Sequence, residues 1–138
     1  MSLRRILLIL LACPCFLASK AQESGASLLK EGLFHYFNRD YQQALPLLLS
    51  AAEQRNPVAH YYIGQMYEHG RAVGKNVREA FGWYLKAAEL GDEDAQHVVY
   101  LCYLDGKGVT RNLKKADQWK YRWDEAGKRK AAEYQRYK

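Results

Sequence analysis

The sequence predicts an all-α solenoid of about three helical hairpins closed by a C-terminal helix. Three observations predict it. First, the stretch from Ala59 to Asp94 recurs 36 residues later: Ala59, Tyr67, Gly70, Val73, Asn76, Ala80, Trp83, Glu89, Gly91 and Ala95 return as Ala95, Tyr103, Gly106, Val109, Asn112, Ala116, Trp119, Glu125, Gly127 and Ala131. A period of that size belongs to helical repeats. Second, Ala59, Ile63, Met66 and Tyr67 fall at i, i+4, i+7 and i+8, and Ala80, Trp83, Tyr84, Ala87 and Ala88 make a second stripe of the same kind, so each unit holds two amphipathic helices. Third, helix punctuation brackets both stripes. Neither helix pair buries its apolar face alone, so neighbouring units must stack.

In chain order, residues 1–21 stand apart from this domain. Arg4-Arg5 is a charged leader, Ile6 to Leu17 a short apolar run, and Ser19-Lys20-Ala21 sets small residues for cleavage before Gln22. This reads as a secretory signal, so a periplasmic or secreted bacterial protein is expected. Leu10-Leu11-Ala12-Cys13 also resembles a lipobox, which leaves a membrane-anchored lipoprotein modified at Cys13 as the alternative. Cys13-Pro14-Cys15 lies inside the apolar run and is not read as a metal or redox motif. Cleavage at Ala21 would leave Cys102 alone, at the position of Met66, which suits a core residue and excludes a disulfide framework.

The repeat domain is expected over 22–138, with hairpins at about 25–56, 57–92 and 93–127 and a capping helix over 128–137. In the first hairpin, Ser24 caps a helix carrying Leu28, Leu29, Gly32, Leu33 and Tyr36. Asn38-Arg39 turns, and Asp40 with Gln43 opens a second helix in which Pro46 removes one hydrogen bond. The second hairpin starts at Asn56-Pro57, stops at Gly70, restarts at Asn76 with Glu79, and stops at Gly91. The third repeats that order from Asp92.

Ala59, Ile63-Gly64, Tyr67, Gly70, Val73, Ala80, Trp83, Lys86-Ala87-Ala88, Gly91 and Ala95 resemble the Sel-one-like repeat, a relative of the tetratricopeptide repeat. The likeness is close over 59–94, good over 95–116 and weaker over 25–56. It departs where Trp123-Asp124 answer Ala87-Ala88 and Tyr100 answers Gly64. The resemblance implies a right-handed α-α superhelix whose first helices line a concave surface for a protein or peptide partner. The groove-facing positions are then Leu29, Leu33, Tyr36, Tyr61, Gln65, Glu68, His97 and Leu101; for Leu29, Leu33 and Leu101 core packing is an equal reading. The expected function is a non-enzymatic adaptor of the bacterial envelope. Some cysteine-rich members of the family bind or hydrolyse β-lactams, but they staple each repeat with a cysteine pair that is missing here after Ala21.

Charge and chemistry narrow the alternatives. Residues 1–105 hold 10 basic and 11 acidic side chains, and 106–138 hold 11 and 4. The basic end is either a surface for an anionic partner or a solvated helix, and export makes nucleic acid an unsuitable client. No serine sits in a nucleophile elbow, and His35, His60, His69 and His97 lack paired ligand spacing, so no catalytic residue, metal or cofactor is expected. Asp92-Glu93-Asp94 are read as cap and first-turn charges.

Overall fold

The computed structural model describes residues 24–136, and the expected signal segment with Cys13 lies outside them. Six helices follow in order: α1 Gly25–Phe37, α2 Tyr41–Glu53, α3 Pro57–His69, α4 Val77–Glu89, α5 Glu93–Asp105 and α6 Leu113–Gln135. Each packs on the next, so α1, α3 and α5 form one row and α2, α4 and α6 the other. Among the described residues no helix is long and apolar enough to cross a membrane.

Local chemistry sets the helix ends. Ser24, Asn56 and Asp92 accept from the backbone N–H three residues on, and Asn76 accepts from both Arg78 and Glu79. Gly70 and Gly106 close α3 and α5 with φ of 69° and 75°, a left-handed conformation glycine adopts without strain. The loops after them match as well: Asn76 N–H bonds Tyr67 C=O and Asn112 N–H bonds Tyr103 C=O. Helix α2 continues through Pro46 as one element, and Ser50 Oγ donates to the Pro46 carbonyl.

The core is split as stacking requires. One cluster, including Leu48, Ala51, Ile63 and Met66, lies between the first two hairpins; the other, including Tyr84, Ala87, Val99 and Cys102, lies between the second and third. Small residues let the helices meet. A Cβ on Gly32 would stand 3.0 Å from Leu48, and one on Gly64 2.8 Å from the Tyr84 ring. The third hairpin inverts the pair, with Tyr100 in the glycine position and Lys120 in the position of Tyr84.

One expectation is corrected. No separate capping helix runs over 128–137: α6 is continuous from Leu113 to Gln135, and residues 128–136 are exposed rather than laid over the open end. Arg55 and Gly91 turn the chain between hairpins at positive φ, while their counterpart Gly127 stays helical. The reason is the next residue. Asn56 and Asp92 cap the following helix, and Lys128 stands in that position with no side-chain acceptor to offer. Lys130 bonds back to Glu93 at 2.8 Å, tying the overhang to the start of α5.

Candidate interaction site

The groove-facing candidates occupy the row of α1, α3 and α5, and their side chains join helices that have little backbone contact. Tyr36 of α1 donates its hydroxyl to Gln65 Oε1 of α3 at 2.6 Å, and Gln65 Nε2 donates to Tyr61 Oη at 2.9 Å. Arg71, in the loop after α3, donates to Tyr36 Oη at 2.7 Å and lies over the Tyr36 and Tyr41 rings. The donors therefore run Arg71, Tyr36, Gln65, and the chain ends on the Tyr61 phenol, whose oxygen accepts the last hydrogen bond. Charge-assisted and mutually polarised, such a chain holds its members in one geometry. Burial pushes the Tyr36 and Tyr61 phenols above their ordinary range, so both stay protonated donors at neutral pH.

A second bridge sits one repeat along. Tyr84 donates to Glu68 Oε2 at 2.5 Å, and Lys107 pairs with Glu68 Oε1. Burial would raise the Glu68 carboxyl, but the hydrogen bonds from Lys107 and Tyr84 outweigh it and hold the group below its usual value. Arg71 and Lys107 are repeat counterparts, and so are the positions they reach, Tyr36 and Glu68. The same basic position of each long loop thus reaches back to the same position of the preceding first helix.

Beneath Glu68 and Lys107 lies a cleft of about 220 Å³. Ala80, Phe81 and Tyr84 of α4 line one side, and Val98, Leu101 and Cys102 of α5 the other. Burial pushes the Cys102 thiol up to about 11, so it is a small apolar surface at neutral pH rather than a nucleophile.

The eight candidates divide by environment. Tyr61, Gln65 and Glu68 are half-buried; the first two share one bridge, and Glu68 belongs to the other. Tyr36 is a correction: its ring is core, 6% exposed, and it takes part through its hydroxyl, which links Arg71 to Gln65. Leu29 and Leu33 pack against the first core cluster, as the core reading required. Leu101 is 38% exposed and lines the cleft. His97 stacks on Trp123 of α6 with ring centroids 4.3 Å apart, next to Tyr100, and is not joined to the Tyr61 chain. Sequence reasoning missed Arg71, Tyr84, Asp105 and Lys107; the matched basic pair at 71 and 107 was visible, but not where each reaches.

The basic end is more self-neutralised than its composition suggests. Lys107, Lys128 and Lys130 pair with Glu68, Glu125 and Glu93, while Lys115 and Arg122 lie over the Tyr103 and Trp119 rings. Among the described residues no cluster of three or more His, Cys, Asp or Glu could hold a metal ion.

Comparison with known proteins agrees with the repeat architecture. A family model described as the Sel1 repeat matches residues 25–56, 57–92 and 99–119. Among solved structures, a Sel1 repeat protein from Oxalobacter formigenes is 37% identical with a TM-score of 0.66, over 70% of this chain and 40% of that one. Cysteine rich protein B of Helicobacter pylori is 30% identical with a TM-score of 0.61, over 62% of this chain and 65% of that one. A protective antigen of uropathogenic Escherichia coli displaying an SLR fold is 31% identical with a TM-score of 0.72, over 77% of this chain and 24% of that one. This chain therefore spans less than two thirds of the length of each. No curated protein gives a significant match. With the first two hairpins and part of the third matched by the family model and the same solenoid found in its structural neighbours, the chain belongs to the Sel1 repeat family.

Proposed function

We propose that the protein is a non-enzymatic adaptor of the bacterial envelope that binds a protein or peptide partner on the row of α1, α3 and α5. Repeats of this family are generally protein–protein interaction scaffolds, which supports the coarse reading. The observation that carries the finer one is the hydrogen-bonded chain from Arg71 through Tyr36 and Gln65 to Tyr61. It fixes an aromatic and polar surface across two hairpins before any partner arrives. Preorganised tyrosines supply contact area at low entropic cost, which is what a recognition surface needs.

Export rests on the N-terminal sequence: the charged leader, the apolar run and the small residues before Gln22. Processing at Ala21 gives a soluble periplasmic or secreted form; processing at Cys13 gives a lipoprotein held at the membrane. Labelled palmitate incorporated only when Cys13 is present supports the lipoprotein, and its absence with cleavage after Ala21 supports the soluble form.

The test of binding is affinity capture from the envelope fraction with the mature chain, beside the form carrying Tyr61→Ala, Gln65→Ala and His97→Ala. The same discrete protein captured by the first and lost by the folded second is the expected result. Equal capture by both overturns the assignment of the face.

A further inference from the structure

The cleft between the second and third hairpins has a counterpart between the first and second, where aromatic rings of three elements meet. In that first junction the rings of Tyr36, Tyr41 and Tyr62 pack together, with Tyr36 4.8 Å from Tyr62 and 5.4 Å from Tyr41. The repeat positions of those three rings in the second junction are Glu68, Val77 and Val98. Two aliphatic side chains and one carboxylate replace these three aromatic rings, while Phe81 and Tyr84 stand on the α4 wall where the first junction has Leu45 and Leu48. Glu68, Val77 and Val98 all line the cleft of about 220 Å³. A roughly 150 Å³ apolar cavity accepts benzene, so this one has room for a phenyl or phenol ring.

Its rim has a sign. Glu68 and Asp105 bring two carboxylates against the one ammonium of Lys107, and that ammonium already faces Glu68. Among the described residues Asp105 makes no ion pair, and it is exposed one turn beyond Leu101 on the wall of the cleft.

We propose that this cleft receives an aromatic side chain of the partner, supplied in trans where the first junction supplies its own, with an adjacent lysine or arginine of that partner pairing with Asp105. The inference rests on the adaptor reading above and names the chemistry of its partner: a peptide segment carrying Tyr or Phe beside a basic residue. Lys107 and Glu68 close one end of the cleft and fix its register, while Leu101 forms the exposed lip the ring must pass.

The experiment titrates terminally blocked tetrapeptides into the mature protein and follows the methyl resonances of Val77, Val98 and Leu101. The probes are Gly-Tyr-Lys-Gly, Gly-Ala-Lys-Gly and Gly-Tyr-Glu-Gly. Saturable shifts with the first, at least tenfold weaker with the other two, are expected. Val98→Tyr puts back the ring that Tyr62 provides in the first junction and should abolish the shifts in a folded protein. Asp105→Asn, at an exposed position, should remove the preference for lysine over glutamate while tyrosine binding persists. Equal response to the alanine and tyrosine peptides, or shifts that survive Val98→Tyr, overturns the proposal. If an envelope partner is captured through Tyr61 but Val98→Tyr leaves capture unchanged, the cleft assignment fails while the adaptor reading stands. If no partner is captured at all and the peptides do not bind, both fail.

Discussion

Two helix-interior glycines should respond to alanine with opposite signs. At Gly82, in α4, an added Cβ meets nothing within 4 Å. Gly82→Ala then gains only the reduced backbone entropy of the unfolded chain, about 0.5–1 kcal/mol of stability. At Gly64, in α3, the Cβ would lie 2.8 Å from the Cδ1 and Cε1 atoms of Tyr84. That ring cannot slide away cheaply, because the Tyr84 hydroxyl is held by Glu68 at 2.5 Å and the side chain is core, 3% exposed. Overpacking of this kind costs about 1–3 kcal/mol, which offsets the propensity gain and leaves a net loss of about 1–2 kcal/mol. The two variants should thus differ by about 1.5–3 kcal/mol in urea denaturation followed by helical circular dichroism. In a Tyr84→Ala background, where the ring that the Cβ would meet is removed, Gly64→Ala should lose its penalty. Equal stabilisation by both glycine replacements would refute the argument that Tyr84 is pinned against α3.

Other consequences follow from particular contacts. Asn76 caps α4 through two backbone N–H groups, so Asn76→Ala should cost about 1 kcal/mol by the same denaturation assay. The Glu68 carboxyl sits below its unfolded value, so its contribution is present above the unfolded range and lost as pH falls through the folded one. Denaturation midpoints between pH 3 and 7 should show Glu68→Gln less stable at neutral pH, with the gap to the parent protein closing in acid. A gap that is constant with pH would count against the bridge. Among the described residues, truncation after Gly127 removes exposed positions and the exposed ends of two ion pairs, so it should cost less than about 1 kcal/mol; a larger loss of melting temperature would mean that the overhang covers something.

The fold was largely legible because stacking hairpins write themselves periodically. Asn56-Pro57, Asn76, Gly70, Gly91 and Gly106 are local signals, and each acts on the few residues beside it. The end of the solenoid was misread because Gly127 matched Gly91 while the decisive residue was Lys128, a cap position without a cap. The candidate positions could be named from the repeat, but their environments could not. Leu29 and Tyr61 are repeat counterparts, yet one packs into a core and the other ends a hydrogen-bonded chain. Which of them happens depends on side chains from the preceding hairpin, and Lys107 meeting Glu68 depends on how one hairpin is set against the next. That geometry comes from the summed packing of both cores, and no short window of sequence contains it.

If the row of α1, α3 and α5 is the face that meets the partner, as proposed above, site-specific photo-crosslinking in living cells should find that partner there. A benzophenone amino acid placed at Tyr61, on that row, is compared with one at Tyr121, which is 66% exposed on α6. A discrete crosslinked protein from position 61 that is missing from position 121 is expected. The same product from position 121 with none from position 61 would contradict the account and move recognition to the basic last helix.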